Sequence, residues 1–221
     1  MRFQDAARDA RAVTYAAIQA DPVVARAAGL LADASVAQRV LARAVMNGET
    51  LDPDDWRTMF PTLFTSAAEP SEREHSEAIL AASLAIADRG DQSRSQLRGA
   101  LVESVAAMLL ERRVGAAAVR RERRILFDGV RAEIHPFDVT GERPGAAEAY
   151  DCKWGARGIG ADVLNQLDDA RTNAEAEEER LDVALVVFDA ERSCRVRLDR
   201  QTAPHEHIRL VTLETLGSLA G

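Results

Sequence analysis

An uninterrupted apolar segment near the carboxyl end constrains the fold more than any other feature of this sequence. Residues 183–188 read Val-Ala-Leu-Val-Val-Phe, and Asp182 and Asp189 bound them. A strand that is apolar on both faces is typical of a sheet covered by helices on both sides. The segment therefore predicts a layered α/β fold.

Other segments of the carboxyl-terminal half also read as strands. The predicted strands are 119–127, 131–139, 148–154, 182–189, 193–199 and 207–212. The dipeptide Asp128-Gly129 between the first two is typical of a tight hairpin. Helices are predicted over 93–113, where apolar residues recur at helical spacing, and over 162–180. The resulting order, αβββαβ, predicts an α/β core with a mixed sheet.

The first 90 residues read as a small all-helical region. A helix is predicted over 2–20, and potential capping boxes at Ser35 and Ser71 mark the starts of two others. A break at residues 89–91 separates this region from the rest of the chain. We therefore expect a helical accessory or partner region over 1–90 and a second domain over 91–221.

The composition is that of an ordinary globular protein. The chain has 221 residues, of which 47% are hydrophobic, and this fraction is enough to build a core. No run reaches the roughly 18 apolar residues of a membrane-spanning helix. Charges at Arg2 and Asp5 argue against a signal peptide. The two cysteines form no disulfide framework, so we expect a protein of the reducing cytoplasm without membrane association.

The charge of the chain is unevenly distributed. A net charge of -8 argues against a protein whose whole surface contacts nucleic acid. Residues 91–160 carry eleven arginines and one lysine against ten acidic residues, and only this third of the chain is positive. A local basic surface in this part of the chain is compatible with nucleic-acid binding.

Lys153 is the one lysine among 28 basic residues, and all the others are arginines. An exposed cation has no reason to resist replacement by arginine, whereas a site that needs a compact ammonium with an adjustable pKa does. Lys153 is therefore a candidate functional residue. The alternative is that one lysine has survived by chance.

Two aspartates are predicted to lie near this lysine. Asp138 lies at the end of one predicted strand, and Asp151 and Lys153 lie in the next. Because strand side chains alternate, positions 151 and 153 point to the same face. Two carboxylates there form a hard-oxygen site for Mg²⁺ or Mn²⁺, and a lysine beside them can hold a water or counter the charge on a phosphate. The alternative is a solvated strand edge with an ordinary ion pair.

The segment from about residue 93 to residue 190 resembles the PD-(D/E)XK nuclease superfamily, which has the restriction-endonuclease-like fold. The matching residues are Pro136 and Asp138, then Asp151 and Lys153 with Cys152 between them. One departure is Phe137, which separates Pro136 from Asp138. The resemblance implies a nuclease dependent on Mg²⁺ or Mn²⁺, in which both aspartates bind metal and the lysine lies at the attacking water.

The resemblance also implies two further site residues. Members of the superfamily often place a glutamate on the helix before the sheet, and Glu103 occupies that position as a third metal ligand. Gln166 lies where relatives carry a glutamine that orients water or phosphate. Ala170 stands where RecB-like nucleases have tyrosine, so that subfamily pattern is not followed. The alternatives are an exposed glutamate on an alanine-rich face and a polar residue near a helix start.

Arginines supply the candidate contacts to nucleic acid. Four lie in the first predicted strand and one lies in the glycine-rich loop that follows the third: Arg120, Arg121, Arg123, Arg124 and Arg157. The alternative is a solvated face whose arginines pair with Glu111 and Glu122.

We therefore expect a metal-dependent nuclease that cleaves DNA, with RNA not excluded. The alternative is a non-catalytic or partner-gated binding and assembly subunit on the same fold. In either case residues 1–90 are the expected interface for a protein partner or a second copy of the chain. A role in antiviral defence follows only by analogy with the superfamily.

Overall fold

The computed structural model describes residues 1–6, 10–128, 130–131 and 135–221. It divides into two compact units. A helical unit comprises Ala10–Val105, and a sheet unit comprises Met1–Asp9 together with Ala106–Gly221. The boundary predicted between residues 90 and 91 falls just before a long helix, whereas the units divide inside that helix. Sequence breaks mark the ends of helices, and a division within a continuous helix leaves no such mark.

Six helices and the first part of a seventh form the described part of the helical unit. They are α1 (Ala10–Gln19), α2 (Pro22–Ala32), α3 (Val36–Asn47), α4 (Pro53–Met59), α5 (Pro61–Phe64), α6 (Pro70–Ala87) and α7 (Asp91–Val114). The capping box predicted at Ser35 is confirmed, since its hydroxyl accepts from Gln38 and the Gln38 side chain accepts in return. The box predicted at Ser71 is wrong, because α6 begins one residue earlier at Pro70, and proline suits the first helical position.

Seven strands form one sheet in the described residues. They are β1 (Arg2–Asp5), β2 (Val119–Phe127), β3 (Val130–Arg131), β4 (Phe137–Gly141), β5 (Ala147–Lys153), β6 (Leu181–Val187) and β7 (Arg209–Val211). The order is β1-β2-β4-β5-β6-β7, with β3 also paired to β2. Strands β1 to β5 pair antiparallel, whereas β5, β6 and β7 run parallel. The predicted α/β class with a mixed sheet is confirmed.

Two helices and several short turns complete the sheet unit. The helices are α8 (Ala161–Ala176) and α9 (Glu191–Leu198), and the 3₁₀ turns are Ala116–Ala118, Ala156–Gly158 and Leu216–Leu219. Leu164 and Leu167 of α8 pack with Val183 and Leu185 of β6 in the core of this unit. Within the described residues, no helix is both long and apolar enough to cross a membrane.

Two of the predicted elements are wrong. The helix predicted from residue 2 begins only at Ala10, because residues 2–5 form β1 and pair with β2. The strand predicted over 193–199 is helix α9. Part of the hairpin predicted at Asp128-Gly129 lies outside the described residues, as does part of the strand predicted over 131–139.

A buried polar network lies on one face of β5. The Glu148 carboxylate is almost inaccessible and accepts hydrogen bonds from Arg113, at 2.6 Å, and from the Tyr150 hydroxyl. Arg143 lies 3.2 Å from its other oxygen. Burial alone raises the pKa of Glu148, but the hydrogen bonds and charges of these neighbours outweigh it, so the pKa is lowered. Burial is also the main reason why the pKa of Tyr150 is raised.

This network makes acid stability depend on Glu148. A lowered folded-state pKa stabilises the fold above the unfolded-state pKa, near 4.5, and that stability is lost as the pH falls through the folded-state pKa. Glu148→Gln is expected to lower the free energy of unfolding by about 2 kcal/mol at neutral pH. The free energy of unfolding of this variant is also expected to fall less steeply than that of the wild type as the pH drops below 4.5. Urea unfolding of both proteins across this range measures the effect, and parallel curves would contradict it.

Candidate active site

Strands β4 and β5 bring Asp138 and Asp151 together. The two strands pair antiparallel with Val139 opposite Tyr150, and one further step in that register places Asp138 opposite Asp151. Directly opposed residues of an antiparallel pair share a face. The Asp138 carboxylate is also oriented by the backbone, since the Cys152 amide donates to its Oδ2 at 2.6 Å. Two aspartates distant in sequence therefore occupy one side of the sheet.

Lys153 completes the cluster at the end of β5. It lies two residues beyond Asp151, on the same face, and its ammonium forms an ion pair with Asp151 Oδ1. The Lys153 side chain is 27% exposed and that of Asp151 is 10% exposed. The structure thus pairs the one lysine of the sequence with Asp151, in a position that solvent can reach.

The two carboxylates determine the charge of this lysine. Burial alone lowers the pKa of Lys153, but the negative charges of Asp151 and Asp138 outweigh burial, and the net pKa is raised. The amine is therefore an ammonium at neutral pH. The sequence was compatible with a lysine that gives up its proton, whereas the two neighbouring negative charges favour the protonated amine.

The segment after β5 packs against the lysine and fixes its direction. A Cβ at Gly158 would lie 3.0–3.1 Å from the Lys153 stem, so this glycine permits the close approach. The Trp154 ring stacks on Phe188, with ring centroids 5.1 Å apart, and the Phe188 amide donates to the Lys153 carbonyl at 2.9 Å. Asp189 accepts from the Ala156 amide at 3.0 Å. Sequence reasoning missed this supporting role of Asp189, because it depends on where β6 ends relative to the loop.

Gly158→Ala is expected to displace the Lys153 side chain. The added methyl group would meet the lysine stem, and a shift of that kind at a reacting group is expected to lower activity by about tenfold or more. Gly160→Ala is the matched control, since a Cβ at Gly160 meets no atom within 4 Å. Cleavage rates of the two variants, measured side by side, test the contact. Equal rates for the two variants would show that it does not matter.

The Gln166 side chain forms hydrogen bonds with the backbone just before β4. Its amide donates to the His135 carbonyl at 3.1 Å, and its carbonyl oxygen accepts from the His135 amide at 3.4 Å. Gln166 is buried in α8. Both ends of this side chain therefore hold the segment that leads into Asp138, and the contact of Gln166 with water or phosphate stays a prediction.

Glu103 is a buried residue of the helical unit. Its carboxylate accepts hydrogen bonds from the Tyr15 hydroxyl and from the Gln19 amide, the latter at 2.7 Å. Two neutral donors from α1 therefore satisfy a carboxylate that would otherwise be costly to bury. Its role as a third metal ligand stays a prediction.

The candidate phosphate-binding arginines differ in how far they are already engaged. Arg123 pairs with Asp5 and with Glu142, the latter at 2.7 Å. Arg120 is exposed and donates to the Val119 carbonyl at 2.7 Å. Arg157 is exposed in the loop after β5. The two remaining candidates are half-buried: Arg121 and Arg124. Arg120 and Arg157 are thus the two exposed members of the predicted set.

The donor chemistry of the paired aspartates fits a hard divalent cation. Mg²⁺ in phosphoryl-transfer sites is commonly held by one or two protein carboxylates, with waters and substrate phosphates as the other ligands. Asp138 and Asp151 supply two such carboxylates on one face. Among the described residues, no three side chains of Asp, Glu, His or Cys are grouped to hold an ion. Waters or a phosphate would therefore complete the ligand shell.

Comparison with known proteins adds one similarity of fold. No family model matches the chain, and no curated protein matches it. A solved structure, protein VC1899 from Vibrio cholerae, is similar at a TM-score of 0.47 and 13% sequence identity. The similarity covers 99% of this chain and 56% of the Vibrio cholerae chain.

Proposed function

We propose that this chain is a metal-dependent nuclease that hydrolyses phosphodiester bonds of DNA. In this proposal the sheet unit has the restriction-endonuclease-like core. The observation that carries the proposal is the convergence of Asp138, Asp151 and Lys153 on one face at the carboxyl end of β5. Paired carboxylates beside a lysine suit phosphodiester hydrolysis, because the reaction needs hard-oxygen ligands and a cation where negative charge develops.

Each residue has a distinct task in this proposal. A bound Mg²⁺ or Mn²⁺ would supply Lewis-acid polarisation of the phosphate and lower the pKa of a water. Asp138 and Asp151 would hold the ion, and the Cys152 amide keeps the first carboxylate in place. The Lys153 ammonium positions the attacking water and stabilises charge on the phosphate oxygens. Waters or a phosphate oxygen would complete the ligand shell.

The proposal is tested by incubating the purified full chain with several nucleic acids. Supercoiled DNA, single-stranded DNA and RNA are incubated with Mg²⁺, Mn²⁺, Ca²⁺ or EDTA. Cleavage is expected with Mg²⁺ or Mn²⁺ and is expected to stop in EDTA and in Asp151→Asn, which removes a charge while nearly keeping the shape. A protein that cuts none of these substrates and binds no divalent ion would contradict the proposal.

A second candidate function is a non-catalytic or partner-gated assembly subunit. Exposed apolar residues of the helical unit favour it: Val36 and Val40 of α3 lie four residues apart, on one helix face, and both are exposed. Such a pair suits contact with another protein or with a second copy of the chain. Light scattering of the wild type and of Val36→Asp measures self-association, and a monomer with strong intrinsic cleavage would contradict this candidate.

A further inference from the structure

A polar cleft apart from the candidate active site lies at the amino-terminal ends of β5 and β6. It has a volume of about 430 Å³, within the range of small-ligand sites. Five arginines line it: Arg113, Arg143, Arg171, Arg180 and Arg209. Two carboxylates, of Glu148 and Asp182, also line it, so cations exceed anions there. In a chain with a net charge of -8, this local excess of positive charge marks an anion-binding surface.

The buried network of β5 organises two of these arginines. Arg113 donates to Glu148, to the Tyr150 hydroxyl at 3.1 Å and to the Leu219 carbonyl at 3.0 Å. Arg209 donates to the same hydroxyl at 3.0 Å, and its guanidinium lies 5.7 Å from the centre of the Tyr150 ring. Guanidinium groups held in this way lose little further side-chain freedom when they bind a ligand.

Two other arginines of the cleft are also exposed to solvent. The Arg143 side chain is 41% exposed and that of Arg180 is 71% exposed. Their partners are Glu148 at 3.2 Å and Asp182 at 3.2 Å. Each guanidinium has five N–H donors in a planar fork, a geometry that matches phosphate oxygens. The cleft therefore combines guanidinium groups that the Tyr150 network holds in place with guanidinium groups that each pair with one carboxylate.

The cleft is distinct from the candidate active site. Glu148 and Tyr150 occupy alternate positions of β5 from Asp151 and Lys153, so their side chains point to the opposite face. The cleft also lies where β5 begins, whereas Lys153 lies where it ends. A phosphate in this cleft would therefore not be the one cleaved.

We propose that this arginine-lined cleft binds the phosphate groups of a nucleotide, either free or at the 5′ end of a nucleic-acid strand. Phosphate is favoured because several guanidinium forks converge on a cleft of nucleotide size, and phosphate accepts paired hydrogen bonds from such forks. This inference is independent of the proposed nuclease function, since it uses none of the residues placed at the candidate active site.

Binding measured in EDTA tests the cleft without any cleavage reaction. The probes are pyrophosphate, ADP and a short 5′-phosphorylated oligothymidine, titrated into the full chain by calorimetry. The test variant is Arg143→Ala/Arg180→Ala. The control is Arg192→Ala/Arg195→Ala, which removes the same charge from exposed positions of α9 outside the cleft.

The cleft variant is expected to weaken binding of a phosphate probe by about tenfold or more, since each arginine supplies charge-assisted hydrogen bonds. The control should stay within about twofold of the wild type. A preference for ADP identifies the free nucleotide as the ligand, and a preference for the oligothymidine identifies a strand end. Absence of binding by the wild type, or equal weakening in both double variants, would overturn the inference.

Discussion

Lys153→Met is expected to lower DNA cleavage by about a thousandfold, the upper range for removing one group that stabilises transition-state charge. Methionine keeps most of the length and apolar stem of lysine, so contacts of the stem with the segment around Gly158 are retained. What is lost is the ammonium that pairs with Asp151 and is attracted by the negative charge of Asp138. Cleavage rates under saturating Mg²⁺, compared with the wild type, measure the effect.

Lys153→Arg separates the charge from the shape of this side chain. The guanidinium keeps the positive charge, but it is planar and larger than an ammonium. Gly158 lies close to the stem of this side chain, so there is little room for the larger group. We expect it to recover little of the lost activity. Circular dichroism and melting temperature confirm that both variants fold. Wild-type rates in the folded methionine variant would remove Lys153 from the mechanism and leave the proposed function without its main support.

Local patterns predicted the centre of the sheet well. The hairpin dipeptide at residues 128–129 indicated a strand over 119–127, and the structure has Val119–Phe127. The apolar run before Asp189 indicated the buried strand β6. These elements were predictable because the residues that define them are neighbours in the sequence.

Elements that depend on distant partners were not predictable in this way. Strand β1 is four residues long and owes its conformation to pairing with β2, more than a hundred residues later. Helix α9 was predicted to be a strand over 193–199, and Cys194, Val196 and Leu198 do alternate with polar residues. In the structure Cys194 and Leu198, four residues apart, are buried, whereas Val196 is exposed, which is a helical pattern.

The candidate site was predictable in its centre but not in its surroundings. Alternation along β5 placed Asp151 and Lys153 on one face, and the structure agrees. That the Gln166 amide holds the His135 backbone follows from the packing of α8 near β4, which no local pattern encodes. The same holds for Phe188, whose apolar character predicted a core position but whose contact with Trp154 links the core to the loop at the site.

Phe188→Ala is expected to lower the free energy of unfolding by about 3–5 kcal/mol, as is usual when a buried aromatic ring is removed. Phe188 is 1% exposed and stacks on Trp154, so the substitution leaves a cavity and frees the residue that follows Lys153. We expect cleavage to fall as well, because the lysine backbone then loses its packed neighbour. Urea unfolding measures the loss of stability, provided that the free energy of unfolding depends on urea concentration with the same slope in both proteins. Cleavage rates measured well below the melting temperature test the loss of activity.

Leu80→Ala separates the loss of stability from the loss of activity. Leu80 is 1% exposed in α6 of the helical unit, where it packs with Leu41, Val45 and Trp56. Its truncation is expected to cost about 2–5 kcal/mol, a comparable loss, while leaving the folded protein's rate unchanged. If both variants lose activity in proportion to stability, the stack beside Lys153 has only a structural role. A rate that falls in Phe188→Ala alone ties the core of the sheet unit to the position of the lysine.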